Sequence, residues 1–477
     1  MMDGIKYSRR DFITMAGAGV LSTMLGCAVS AAKNSKTQKP NFIFIYADDL
    51  GYGDLACYGS TKNRTPHIDK MADEGMRFTD FYVTSGVCTP SRSSLMTGCY
   101  PRRVNLHVDS NDKWVLFPNA KKGLHPDEIT VAEVLKKQGY ATAYIGKWHL
   151  GDQKEFLPTR QGFDYYYGIP YSNDMNRKAV PLPLMRNEKV IQAPADQQPL
   201  TQDYTKEALA FIEDNKEKPF FLYLPHTMVH VPLQASENFK GKSANGRYGD
   251  ALEEVDFSTG EIIKKLKELG IDDNTMVIFS SDNGTYKGRG ASNAPLRGHK
   301  GNTDEGSMRV PFVVRYPDGV PVNTVCGELA STIDILPTFA KLAGGKVPGD
   351  RIIDGKNIWS LMSGRKGAKS PHEAFYYYHT IQLQAVRSGK WKLILPLAVK
   401  KRGWSKKEEN VPLKLIDLQT DIHEDNDLSK QFPQVVKKLL ALAETARADL
   451  GDMQKKGAGQ RDAGWVENPT PRLLKKT

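Results

Sequence analysis

Four short apolar runs, each stopping abruptly at ionisable residues, constrain what this chain can fold into. Phe42-Ile43-Phe44-Ile45-Tyr46 ends in Ala47-Asp48-Asp49, and Ala143-Tyr144-Ile145 ends in Gly146-Lys147-Trp148-His149. Phe220 to Leu224 ends in Pro225-His226, and Met276 to Phe279 ends in Ser280-Ser281-Asp282-Asn283-Gly284. Runs of this length without polar alternation read as strands buried on both faces, the habit of parallel sheets. Val310 to Val314 is a fifth run of the same kind. Between the runs lie segments of helical period: Thr130 to Gln138, opened by a Thr130/Glu133 capping box, Tyr204 to Asn215, Tyr248 to Leu269 and Asp334 to Leu342. The alternation predicts an α/β fold with a large mixed, mainly parallel sheet sandwiched by helices. Ligands of such sheets bind outside the carboxyl ends of the strands, so four strand ends deliver charged groups to one rim.

The 477 residues are enough for one large domain and a smaller one. Residues 40–369 are expected to form the main domain. From about residue 370 the pattern changes to hairpin-like runs, Ala374 to Tyr378, Leu383 to Arg387 and Lys390 to Leu395, before a last helix from Pro433 to Leu450. Residues 370–477 are therefore expected to form a smaller C-terminal α+β domain with an antiparallel sheet. There is no internal repeat and no second apolar span of membrane length.

Residues 1–39 read as targeting sequence. Ser8-Arg9-Arg10-Asp11-Phe12-Ile13 resembles a twin-arginine export signal, and Leu25-Gly26-Cys27 resembles a lipoprotein cleavage site with Cys27 as the lipidated residue. A polar tether, Ala31 to Pro40, follows. The expected location is the periplasm or a membrane surface of a bacterium, with membrane contact only through a lipid on Cys27.

The formal charge of +11 suits anionic partners. The lysines are dispersed, with small clusters at Lys400-Lys401-Arg402 and Lys475-Lys476, and no nucleic-acid-reading motif accompanies them, so nucleic acid is not an expected partner. The five cysteines are Cys27, Cys57, Cys88, Cys99 and Cys326. Assigning Cys27 and Cys88 to chemistry leaves an odd three, which argues against a disulfide framework while leaving room for one bridge.

Asp48, Asp49 and Asp282 would crowd three carboxylates together, an arrangement unfavourable without a cation. With the amide of Asn283 they form an oxygen-rich set that suits a hard divalent ion, calcium or alternatively magnesium, better than zinc. Arg92, Lys147, His149, His230 and Lys300 form the basic counterpart, able to surround a sulfate or phosphate ester and stabilise charge developing on its oxygens. Lys300 sits in a glycine-flanked loop, Arg297-Gly298-His299-Lys300-Gly301. His226 and His230 compete for one role, and either could instead be a loop histidine satisfied by a carbonyl.

Cys88-Thr89-Pro90-Ser91-Arg92, continuing to Thr97-Gly98, resembles the C-x-P-S-R-x-x-x-x-T-G element of the type I sulfatases. In that family the cysteine is oxidised to formylglycine by a maturation enzyme. Further elements appear in the family's order: Asp48-Asp49, Gly146 to His149, the His230 segment, Ser281 to Gly284, and Arg297 to Pro311. Gly162-Phe163-Asp164 through Gly168-Ile169-Pro170-Tyr171-Ser172 is similar to the arylsulfatase A and N-acetylgalactosamine-6-sulfatase branch. Ser307 departs from the usual glycine.

The resemblance implies an alkaline-phosphatase-like fold and a sulfatase. Asp48, Asp49, Asp282, Asn283 and the converted Cys88 would hold the metal. A formylglycine diol would attack sulfur and give a sulfated enzyme intermediate, with Lys147, Lys300 and Ser172 on the sulfate oxygens. His230 would protonate the leaving alcohol and His149 would promote release of sulfate. Asn173 and His226 are further substrate-binding candidates, and Asp174, Arg177 and His379 candidate recognition residues. The expected substrate is an O-sulfate on galactose or N-acetylgalactosamine of a glycan. The alternatives are a phosphate or phosphonate monoester hydrolase on the same scaffold, and a non-catalytic lipoprotein that binds sulfated glycans.

Overall fold

A computed structural model describes residues 39–402 and 405–474, with the side chains of 400–409 excluded. The export and lipidation signals, Cys27 and the Lys475-Lys476 cluster lie outside the described residues. Among the described residues no helix is long and apolar enough to cross a membrane.

The centre is a ten-stranded sheet. Its strands are β1 (Asn41–Ala47), β2 (Met76–Phe78), β3 (Ala141–Ile145), β4 (Tyr165–Gly168), β5 (Leu184–Arg186), β6 (Lys189–Gln192), β7 (Phe220–Pro225), β8 (Thr275–Ser281), β9 (Phe312–Arg315) and β10 (Thr324–Cys326), in the order β10-β2-β9-β8-β1-β7-β3-β4-β5-β6. The five central strands, β8-β1-β7-β3-β4, run parallel. The alternation of β1 divides the interior. Phe42, Phe44 and Tyr46 join one apolar core, and Ile43, Ile45 and Ala47 join the other, all fully buried.

On the first face pack α2 (Cys88–Thr97), α3 (Val131–Lys136) and α6 (Ile335–Leu342), through Leu95, Val134 and Phe339. On the second pack α1 (Pro66–Asp73), α4 (Leu200–Asp214) and α5 (Gly246–Glu268), through Ile68, Ala208 and Val255. The Thr130/Glu133 capping box forms as expected, with Glu133 N donating to Thr130 Oγ1 at 3.2 Å and Thr130 N to Glu133 Oε2 at 2.7 Å.

The run from Val310 yields β9, which is antiparallel to β8, so it contributes no strand end to the rim. The strands from Tyr165 to Gln192 carry no long apolar run; beyond β4, which is parallel, β5 and β6 extend the sheet as an antiparallel edge. A second, four-stranded antiparallel sheet follows, β11 (Phe375–His379), β12 (Gln382–Ser388), β13 (Trp391–Ile394) and β14 (Lys414–Asp417), covered by α7 (Pro433–Leu450). Its Phe375, Tyr377, Leu383 and Leu393 share the first core, together with Leu439 of α7. Cys57, Cys88, Cys99 and Cys326 are free thiols.

Candidate active site

Cys88 opens α2, a helix buried along its whole length although it is mostly polar. It can be buried because its hydroxyls are satisfied locally. Ser93 Oγ donates to Pro90 O at 2.7 Å, Thr97 Oγ1 to Ser93 O at 2.8 Å, and Ser94 Oγ meets Thr84 Oγ1 at 2.5 Å. Pro90 stands in the first turn, where its missing N–H costs nothing. The helix N-terminus, with its partial positive charge, faces the rim left by β1, β3, β7 and β8.

Arg92, one turn into α2, ties three of those strand ends together. Its Nε and Nη2 donate to Asp282 Oδ2 at 3.0 and 2.8 Å, its Nη1 donates to Lys147 O at 2.8 Å, and Nη2 lies 3.5 Å from Asp48 Oδ2. Lys147 Nζ donates to Asp48 Oδ2 at 2.5 Å and to Ser172 Oγ at 3.1 Å. Lys300 Nζ pairs with Asp49 Oδ1 at 2.6 Å and reaches Cys88 Sγ at 3.5 Å, while Sγ lies 3.6 Å from Asp48 Oδ1. Gly146 allows the chain to turn tightly after β3: its φ is 136°, and a Cβ there would stand 1.9 Å from Pro225 O.

His230 lies 3.7 Å from Asp49 Oδ2 through Nε2, with Nδ1 held by Asn173 Oδ1 at 2.9 Å and Val231 O at 2.6 Å. His149, at φ 64°, has Nε2 held by Leu116 O at 2.9 Å and a buried Nδ1 without a partner. His226 is not brought to this cluster. Its Nε2 meets Ser258 Oγ of α5 at 3.3 Å and its ring packs near Tyr204, inside the second core. As the first residue after β7 it continues the burial of that strand, whereas His230 lies beyond a loop that turns back over β1.

The charges are strongly coupled. Burial alone would raise the Asp48 carboxyl, but Lys147, His230, Arg92 and Lys300 together hold it well below the usual carboxylate range. Asp282 is pushed up by burial and by Asp48, against the pull of Arg92. Burial pushes the Cys88 thiol up, with Lys147 and Lys300 opposing. Burial disfavours charge on Lys147 and Lys300, but Asp48 and Asp49 respectively outweigh it and keep both ammoniums protonated. His149 is held well below its ordinary value by burial and then by Lys147, so it is neutral and able to accept a proton.

One ligand atom each from Asp48, Asp49, Cys88 and His230 falls within 4.8 Å of the others. Asp282 Oδ1 accepts from Asp49 N at 3.1 Å. Asn283 Nδ2 donates to Asp49 Oδ1 at 2.7 Å, and its Oδ1 is buried with no hydrogen-bond partner. An orphaned amide oxygen beside three carboxylates fits a hard divalent cation. Two groups that orient the histidines leave no local signal in the sequence: the carbonyl of Leu116, a backbone atom, and the side chain of Asn173, expected above only as a substrate-binding candidate.

The sulfatase family pattern matches residues 40–345, and that of the N-sulphoglucosamine sulphohydrolase C-terminal region matches residues 300–448. Human steryl-sulfatase is 37% identical over 437 residues, covering 75% of each chain. Human arylsulfatase A is 38% identical over 393 residues, covering 76% of each, and mouse N-acetylgalactosamine-6-sulfatase is 38% identical over 375 residues, covering 74% of this chain and 72% of its own. Among solved structures, Ps i-CgsB in complex with k-i-k-neocarrahexaose superposes with a TM-score of 0.73 at 32% identity, covering 86% of this chain and 92% of that one. The chain belongs to the sulfatase family, hydrolases of sulfuric esters, and its relatives place it in the arylsulfatase A and N-acetylgalactosamine-6-sulfatase-like branch.

Proposed function

We propose that this sulfatase removes O-sulfate from galactose or N-acetylgalactosamine units of a glycan, using Cys88 after its conversion to formylglycine by a maturation enzyme. The observation that carries the reading is the position of Cys88 Sγ, 3.6 Å from Asp48 Oδ1 and 3.5 Å from Lys300 Nζ. The hydrate of the converted side chain supplies the attacking hydroxyl. A divalent cation, calcium in preference to magnesium, held by Asp48, Asp49, Asp282 and Asn283, would supply charge that lowers the proton affinity of that hydroxyl.

The chain's own residues perform the rest. Lys147 and Lys300, fixed by carboxylates and kept charged, neutralise the sulfate oxygens as negative charge shifts onto them, with Ser172 beside Lys147. Asn173 and Val231 O hold Nδ1–H of His230 so that Nε2 faces the cluster; burial and Lys300 disfavour charge on the ring while Asp49 favours it, and it is the imidazolium form that delivers a proton from Nε2 to the departing alcohol. His149, neutral and oriented by Leu116 O, accepts a proton at Nδ1 when sulfate is released. The carbohydrate preference is supported by the complex of Ps i-CgsB with an oligosaccharide. Export, with lipidation at Cys27, completes the proposal and is tested by radiolabelled palmitate incorporation into the full chain and into Cys27→Ala.

Initial rates on p-nitrophenyl sulfate and p-nitrophenyl phosphate test the reaction, and faster phosphate release overturns it. Screening 4- and 6-sulfated galactose and N-acetylgalactosamine tests the substrate. Failure on all four removes the carbohydrate assignment.

A further inference from the structure

A cavity of about 210 Å³ opens directly from the reacting centre, and Asp49, His230 and Lys300 form its floor. Its outer wall carries Arg289, which also lines an adjoining cavity of about 430 Å³ with Arg247. Both arginines are exposed, and neither has an ion-pair partner among the described residues. Asp174 lines the first cavity as well and is likewise unpaired, so opposite charges share one space without meeting.

Arg289 is held there by unusual backbone. Gly288, Arg289 and Gly290 have φ of 93°, 61° and 90°, a left-handed run that costs energy at a residue with a side chain. The loop is tied down on both sides of the turn. Asn245 Nδ2 donates to Gly290 O at 2.9 Å, Ser292 N donates to Asp54 Oδ1 at 2.8 Å, and Thr285 N donates to Asn293 Oδ1 at 3.1 Å. Asp54 also accepts from Tyr248 OH at 2.5 Å, and Tyr248 lines both cavities. A guanidinium carried on a backbone pinned in this way, and left without a carboxylate, is an available anion receptor at the cavity wall.

Resting on the function proposed above, we propose that this cavity is a subsite for a second anionic group, carried by the sugar next to the one that loses its sulfate and read by Arg289 with Arg247 behind it. The anion is a second sulfate or a uronate carboxylate, and Asp174 accepts hydroxyl hydrogens of the same sugar. The enzyme therefore prefers densely charged glycans to singly sulfated ones.

Calorimetry on the full chain with three disaccharides tests this, each having one sulfated N-acetylgalactosamine and a neighbour that is neutral, a uronate or sulfated. The wild type is expected to bind one or both of the doubly anionic probes roughly tenfold tighter than the neutral one. R289A should erase that preference, R289K should restore part of it, and R247A should reduce it. The probe that binds tighter identifies the anion. Equal affinity for all three, or a preference that survives R289A, overturns the proposal. Because calorimetry needs no turnover, it is separate from the p-nitrophenyl sulfate assay, whose failure would count against the reaction and not against the subsite.

Discussion

Lys300 is the residue on which the two halves of the site depend, since one ammonium serves both Asp49 and the side chain at position 88. Lys300→Met would take the ammonium from Asp49, leaving it His230 and the amide of Asn283, and would remove a donor from the sulfate. We expect kcat on p-nitrophenyl sulfate to fall by about 10²- to 10³-fold with a smaller change in KM; a kcat within threefold of wild type would contradict the role. Ser307 shows how a departure from the family pattern is accommodated. Its Oγ accepts from Asn302 N at 3.1 Å and so helps hold the loop that carries Lys300. At this scale the sequence was legible wherever a charged residue directly follows an apolar strand, as at Asp48, Asp49, Lys147 and Asp282. Between the two nearby histidines the family resemblance singled out His230, which the structure brings to the cluster, but the local sequence could not exclude His226, because which of them turns inward depends on the path of the loop between them. Arg289 was equally hidden, since an exposed arginine in a glycine-rich loop looks like any other.

The elements meet through buried charge. Lys392 of β13 lies 2.7 Å from Glu424 Oε1 and 3.0 Å from Glu305 Oε1, all three being almost fully buried, and Glu305 follows the Lys300 loop. Lys392→Met would strip Glu424 of its cation and leave Glu305 to Tyr82, Tyr377 and Arg309, and is expected to destabilise the fold by about 3–5 kcal/mol, measured by denaturant unfolding. Adding Glu424→Gln should recover part of that loss. His372, just before β11, meets Asp334 Oδ1 at 2.7 Å at the start of α6. Burial would lower its pKa, but the Asp334 charge outweighs burial and raises it. The folded state therefore holds the proton more tightly than the unfolded chain, so the contribution is complete below about pH 6.5 and fades as pH rises through the folded value. His372→Gln should cost about 1–3 kcal/mol at pH 5.5 and clearly less at pH 9; an equal loss at both would contradict the pairing. Helices with clear period and the long apolar strands were readable, whereas β9 was readable as a strand but not in its direction. The edge from Tyr165 to Gln192 escaped because strands of three or four residues carry too little pattern.

For the whole molecule, the concentration of acid and base at one rim implies that a bound cation stabilises the fold as well as the reaction. Treatment with EDTA should lower Tm and abolish turnover, and calcium should restore both; at a hundredfold excess over Kd the gain is about 2.7 kcal/mol. Unchanged Tm and activity after verified metal removal would contradict the assignment of Asp48, Asp49, Asp282 and Asn283. The α/β architecture followed from the strand and helix alternation, while the sharing of one core by the second sheet and α2 did not, because nothing local in Phe375 or Leu439 records which distant surface it will meet.

The most direct measurement is peptide mass spectrometry across Cys88 on protein matured in its own host, paired with turnover of p-nitrophenyl sulfate by the same preparation. Conversion of thiol to aldehyde lowers the peptide mass by about 18 Da, and the fraction converted should scale with specific activity. An unmodified thiol in a preparation that turns over sulfate esters would contradict the account.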